Sequence, residues 1–283
     1  MQPTRRSLLR TFGASLLGLG LGLALLPDAG ARDPAEIVIG TSAGPYADQV
    51  RYGIKPILER QGYKVRVVEF NDYVQPNFAL AEGSLDANVF QHSVYLNKFA
   101  RDHKLALAEL VTIPTAPIAI YSRRHRSLDE ARAGTTVALP NDPTNQARAL
   151  VMLAQLGWIA LRPDADPVKA SEKDIVRNPR GIKLLPLEAA QLPRALQDAD
   201  YAFVNGNYAL ASGLKLADAL RTETISRNYV NLVAVRSGDL NKPFARDIAA
   251  AYRSRAFLAW TEQHNPGYAK TDYQLAMLAH KAP

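Results

Sequence analysis

Short β-branched runs alternate with helical patterns along this chain, and that alternation confines it to an α/β fold with parallel strands. Ile37-Val38-Ile39-Gly40 reads as a first strand. Pro45 then opens a helical pattern through Tyr46, Val50, Ile54 and Leu58 that ends at Gly62, with Pro56 as an interruption inside it. Val65 to Phe70 reads as a second strand. Strands joined through a helix lie parallel, and the sheet they form needs helices packed on it.

The unit recurs around one informative stretch. The apolar run Thr135-Thr136-Val137-Ala138-Leu139 predicts a buried strand, and a helical pattern through Ala149, Leu150, Leu153 and Leu156 stops at Gly157. Between them, Asp142 suits an N-cap and Pro143 the first helical position, where its missing N–H costs nothing. Asn145 and Arg148 then share a helix face. Free N–H groups, the positive end of the helix dipole and a guanidinium would converge on one anion. On these residues alone, a solvated Arg148 and a locally capping Asn145 compete with that reading on equal terms.

Other polar and aromatic groups fall where strands end, which is where ligands lie in open α/β sheets. They are Tyr73 after the second strand, then Phe90, His92 and Tyr95. Residues 183–187 read as a further strand followed by a helix start at Glu188. Residues 201–204 read as another, leading into Asn205-Gly206-Asn207-Tyr208. An Asn-Gly turn competes with a ligand role for these amides, and core packing competes for the aromatics. The proline-broken run 113–121 and the strand-like run 230–235 read as two crossings between lobes. One amphipathic helix through Phe244, Ile248, Tyr252 and Phe257 is expected to close the chain.

Several chemistries have no support. The chain has no cysteine, so disulfides, thiolate metal sites and a cysteine nucleophile are excluded. No Gly-x-Ser-x-Gly elbow, Walker loop or His-Glu-x-x-His is present, and the five histidines lack metal-ligand spacing. No catalytic residue, metal or cofactor is therefore expected. Thr4-Arg5-Arg6-Ser7 followed by an apolar segment and Ala29-Gly30-Ala31 reads as a cleavable export signal over residues 1–31, similar to a twin-arginine signal. Removing its three arginines and one aspartate takes the net charge from +7 to +5. The densest basic cluster, Arg123-Arg124-His125-Arg126, reads as a solvated turn, so no nucleic-acid partner is expected.

Taken together, several blocks resemble one family. Phe70-Asn71-Asp72-Tyr73 with Gln75-Pro76-Asn77, Leu85-Asp86-Ala87-Asn88 with Phe90-Gln91-His92, and residues 140–145 with Arg148 are similar to the methionine-binding family of ABC-transporter substrate-binding proteins (the MetQ/NlpA lipoprotein family). Residues 188–193, 205–209 and 231–239 fit it too. The resemblance implies an α/β fold of the two-lobed periplasmic-binding-protein type, type II-like, with a ligand cleft between lobes joined by two crossing segments. Lobe 1 would comprise residues 32–120 and 231–283, and lobe 2 residues 121–230. It implies that Arg148, with Asn145 beside it, binds the carboxylate of an amino acid, that Asn205 and Asn207 hydrogen-bond its polar end, and that Tyr73, Phe90, His92 and Tyr95 line its side-chain pocket.

The implied ligand is L-methionine, with D-methionine, a methionyl dipeptide or another apolar amino acid as alternatives. The implied partner is an ABC permease with its ATPase, and the protein would act as a monomer. An exported transferase-like enzyme on the same fold is the alternative from another class, with His92 and Asp72 its only candidate groups. Two departures stand out. The family's lipid-bearing cysteine is absent, which predicts a soluble periplasmic protein with no lipid anchor, and Val94 stands where proline is common before Tyr95.

Overall fold

The chain, in a computed structural model that describes residues 35–280, builds two five-stranded sheets. The export segment read at residues 1–31 lies outside the described residues. Strand β1 (Glu36–Ser42) leads through α1 (Pro45–Asp48), a π-helical stretch (Gln49–Ile54) and α2 (Lys55–Glu59) to β2 (Lys64–Phe70). The interruption expected at Pro56 is met by that wider helical turn, which delivers the proline to the start of α2, where its missing donor is harmless. β2 lies parallel to β1 with Ile37 opposite Val65. Helix α3 (Gln75–Ala81) then carries the chain to β3 (Ala87–His92), parallel to β1 on its other side. Helix α4 (Ser93–His103) and β4 (Leu107–Thr112) follow.

Residues 113–118 cross to the second sheet. It is assembled from β5 (Ala119–Tyr121), β6 (Thr136–Pro140), α5 (Pro143–Gln155), β7 (Ala160–Leu161), β8 (Ile175–Arg177), β9 (Lys183–Leu187), α6 (Leu192–Ala195), β10 (Tyr201–Val204), α7 (Gly206–Ala211) and β11 (Arg221–Thr222). Of these, β7 and β8 pair only with each other. β12 (Asn231–Arg236) returns to the first sheet, and α8 (Pro243–Tyr252), α9 (Arg255–His264) and α10 (Asp272–Ala279) finish the described chain. The strand orders are β2-β1-β3-β12-β4 and β11-β5-β10-β6-β9.

Alternation along the strands explains why each sheet carries helices on both faces. In β1, Ile37 and Ile39 pack with Tyr46, Val50, Ile54, Ile248, Tyr252 and Phe257, whereas Val38 points the other way to Leu80, Leu85 and Leu96. In the second sheet, Val137 and Leu139 meet Leu150, Leu153 and Trp158, and Ala138 faces Leu192 and Leu196. The result is the two-lobed periplasmic-binding-protein fold that the sequence implied.

Two element readings are corrected. The run at 230–235 is β12, antiparallel between β3 and β4, so the chain's return completes a sheet as well as crossing to it. The single closing helix is two helices, because the Ser254 side chain accepts the Phe257 N–H and starts a new one. Asn205-Gly206 is likewise the entry to α7, and no turn intervenes.

Candidate ligand-binding site

Helix α5 begins as its sequence demands, with Asp142 at the N-cap and Pro143 in the first turn. The Asp142 carboxylate, however, accepts the backbone N–H groups of Thr144 (3.2 Å) and Asn145 (3.0 Å), and the Gln146 N–H goes to the Asp142 carbonyl. With proline donating nothing, the cap consumes the donors expected to meet an external anion. That part of the anion-site expectation is corrected: a ligand anion must be met by side chains one turn further on.

Those side chains are buried. Arg148 is 6% exposed, which removes the solvated-helix reading. Its Nη1 donates to Asn145 Oδ1 at 2.7 Å, its Nε to Glu223 Oε2 at 3.1 Å, and its Nη2 to Glu223 Oε1. The guanidinium also stacks over the Tyr229 ring, 4.8 Å from its centroid. Burial by itself would lower the Arg148 pKa, but the charge and hydrogen bonds of Glu223 outweigh it, so the group is held cationic. Glu223 is anchored in turn by the Ile118 N–H, at 2.9 Å, on the segment that leaves the crossing. Of five guanidinium N–H donors, Glu223 takes two and Asn145 one, so two remain without an acceptor among the described residues.

Asn145 is the second hub. Its Nδ2 is held by Asp142 at 2.9 Å, which turns Oδ1 toward Arg148, toward Asn205 Nδ2 at 3.0 Å and toward His92 Nε2 at 3.4 Å. His92 caps α4 by accepting the Tyr95 N–H on Nδ1, so the hydrogen-bond network assigns its proton to Nε2. Burial, then the nearby Arg148 charge, push its pKa well below the ordinary histidine range and keep it neutral.

The aromatic wall comes from the other sheet and depends on a β-bulge. Gln91 pairs with Leu232 and Val89 with Val233, so Phe90 is the extra residue on β3, and its carbonyl accepts Asn231 Nδ2 at 2.9 Å. The bulge also lets Asn88 and Gln91 meet each other and Asn77 in a buried amide cluster behind the wall, which strict strand alternation would prevent. In front of it, Tyr73 stacks on Phe90 at 5.6 Å and meets the edge of Tyr95 at 6.0 Å. The Tyr95 hydroxyl donates to the Tyr73 carbonyl at 3.0 Å. Val94, where the family pattern has proline, is half-buried and leaves Tyr95 in the wall.

The lobes meet across this site. Tyr73 Oη donates to Asn207 Oδ1 at 2.7 Å, Asn207 Nδ2 to Ser42 Oγ at 3.3 Å, and Tyr208 Oη to the Asn71 carbonyl at 3.2 Å. Gly206 is required here, because a Cβ would sit 2.5 Å from Ala116 Cβ and 2.6 Å from the Pro117 carbonyl oxygen. Between the lobes lies a narrow cavity. All eight residues singled out in the sequence line it: Tyr73, Phe90, His92, Tyr95, Asn145, Arg148, Asn205 and Asn207. Tyr46, Gln91, Thr115, Ala116, Gly206 and Asn231 complete the lining and were not singled out in the sequence. Gln91, Gly206 and Asn231 had a signal, since each lies in a block that resembles the family. One buried acceptor in the lining, Asn205 Oδ1, has no hydrogen-bond partner among the described residues.

Two α/β lobes that meet over a polar and aromatic cavity define the class of periplasmic binding proteins. Comparison with known proteins narrows this. The family model described as NlpA lipoprotein matches residues 37–272, and the chain belongs to that family. It is 38% identical over 250 residues to the D-methionine-binding lipoprotein MetQ of Salmonella typhi, covering 87% of this chain and 91% of that one. It is 37% identical over 250 residues to the corresponding protein of Escherichia coli strain K12, with the same coverage. Among solved structures it matches a nutrient binding protein from Burkholderia cenocepacia bound to methionine, at 38% identity and a TM-score of 0.78. That match covers 82% of this chain and 98% of the other. The crystal structure of the methionine binding protein MetQ matches at 37% identity and a TM-score of 0.79, covering 84% and 99%.

These relatives also correct one expectation. The missing cysteine was read as predicting a soluble protein without a lipid anchor, but the relatives are named lipoproteins, which are membrane-anchored. An argument from one absent residue does not stand against them.

Proposed function

We propose that this protein is the substrate-binding component of an ABC importer and captures a free amino acid, L-methionine, for delivery to a permease with its ATPase. The observation that carries the reading is the combination in one cavity of a buried guanidinium, an unpartnered amide oxygen and an aromatic wall. The ligand carboxylate takes the two unused N–H groups of Arg148, beside Asn145. Its ammonium donates to Asn205 Oδ1, the acceptor left without a partner, with Asn207 alongside. The thioether packs against Tyr73, Phe90 and Tyr95, where sulfur gains from aromatic edges. The names of the MetQ relatives and the methionine-bound relative support this choice of ligand. D-methionine, a methionyl dipeptide and another apolar amino acid are the competitors, since the same polar clamp could serve each.

The work done is closure. The first sheet with its helices acts as one lobe and the second sheet with its helices as the other; because β5 begins at Ala119, the boundary falls just before the one expected after residue 120. The ligand joins them, adding its contacts to the Tyr73–Asn207, Asn207–Ser42 and Tyr208–Asn71 hydrogen bonds that favour the closed state. The monomer suffices for this. Catalysis has little to draw on: both ring nitrogens of His92 are engaged, and the half-buried Asp72 carboxylate accepts the Val74 and Gln75 N–H groups.

Mass spectrometry of ligand released by unfolding the purified protein tests the reading, followed by calorimetry with L-methionine, D-methionine and a methionyl dipeptide. Recovery of methionine, with L-methionine binding tightest, is expected. A polyamine or sugar in its place overturns the assignment.

A further inference from the structure

Glu223 is the one charged group in direct contact with Arg148 that the ligand reading does not use. It sits behind the guanidinium and is not part of the cavity lining. Both oxygens are committed, to Arg148 Nε and Nη2 and to the Ile118 N–H, and the two side chains are only 5% and 8% exposed. The histidine and the tyrosines around the guanidinium carry no charge. His92 is held neutral, and burial pushes the Tyr229 hydroxyl up to about 12 and those of Tyr46 and Tyr73 higher still. Asp142 spends its carboxylate on the N-terminus of α5. Arg148 and the carboxylate it touches therefore cancel, while the Asp142 carboxylate is opposed by the positive end of α5.

We infer that Glu223 is a positioning residue that cancels the Arg148 charge and so selects zwitterions over anions that share the same carboxylate and side chain. This deepens the proposed amino-acid function and rests on it. A buried ion pair whose charges cancel gains no net charge when a zwitterion enters. An analogue without the ammonium brings an uncompensated negative charge into a water-excluded space and leaves Asn205 Oδ1 without a donor. A bare Arg148 would accept either ligand. Glu223 also holds Nε and Nη2 on its own side, so that the remaining N–H groups are the ones presented to the cavity.

The test compares L-methionine with its deaminated analogue, 4-(methylthio)butanoate, by calorimetry on the full protein and on Glu223→Gln. Glutamine keeps the shape and can still accept the Ile118 N–H. In the natural protein the deaminated acid should bind at least about a hundredfold more weakly than methionine. In Glu223→Gln that ratio should shrink at least about tenfold, with methionine weakened and the anion gaining. A loss of affinity that is equal for the two ligands is what a merely structural role produces, and it overturns the inference. So does near-equal binding of both ligands by the natural protein, a result that needs no variant and stands if Glu223→Gln fails to fold. A natural protein that binds no amino acid at all refutes the underlying function, and the two failures are thereby told apart.

Discussion

Replacing Arg148 with methionine keeps most of the side chain's apolar stem and removes its charge. The structure says what this costs. Glu223, with a side chain 8% exposed, loses its cation and two hydrogen bonds, and Asn145 Oδ1 loses a 2.7 Å donor. Stranding one member of a buried pair costs about 3–5 kcal/mol, a large share of the roughly 5–15 kcal/mol that holds a typical domain folded. The stability loss and the binding loss have different origins and can be separated. Arg148→Met should unfold about 3–5 kcal/mol more easily in a urea titration. Adding Glu223→Gln removes the stranded charge and should restore most of that stability. Methionine affinity, by calorimetry, should be at least about tenfold weaker, roughly 1.4 kcal/mol, in both variants, because neither has a guanidinium for the carboxylate. A single variant as stable as the natural protein, or a double variant that binds methionine unimpaired, would refute the reasoning.

Two further outcomes follow from the same geometry. Tyr73→Phe keeps the ring stacked on Phe90 but deletes the 2.7 Å bond to Asn207 across the lobes, and should weaken binding by about 0.5–1.5 kcal/mol through faster release. An unchanged dissociation rate in stopped-flow measurements would remove Tyr73 as a latch. His92 is neutral in the folded protein and protonates well below its ordinary pKa of 6.5. The unfolded chain therefore binds a proton that the native one refuses, and its contribution, complete above about 6.5, is lost as pH falls below that value. Urea titrations at successive pH values should show a slope there that His92→Gln flattens, and an identical slope in the variant would assign it elsewhere. The carboxyl of Asp174, held down to about 2 by Arg162 and by the Ser171 backbone and hydroxyl, loses its stabilising contribution only below about 3.8, whereas the His92 slope sets in from about 6.5.

Much of this protein is written locally. The β-α-β alternation, the Asp142 cap and the placement of Asn145 beside Arg148 all depend on residues within a few positions of one another. Backbone propensity and helix periodicity are enough to read them. The aromatics at strand ends were legible for the same reason, given that sheets deliver their ligands there. What the local pattern could not reveal was competition for the same donors: Asp142 satisfies the N–H groups that its own helix appeared free to offer an anion. Nor could it reveal Glu223, which lies 75 residues from Arg148 in sequence and shares no periodic relation with it. The bulge that presents Phe90 exists because β12 returns across well over a hundred residues to pair antiparallel with β3, out of step by one residue. Local sequence thus determined which groups stand at the mouth of each strand. Only the packing of two lobes decided which of them are charged, which are already spoken for, and which remain to receive a ligand, because burial and long-range pairing set those properties and neither leaves a trace in neighbouring residues.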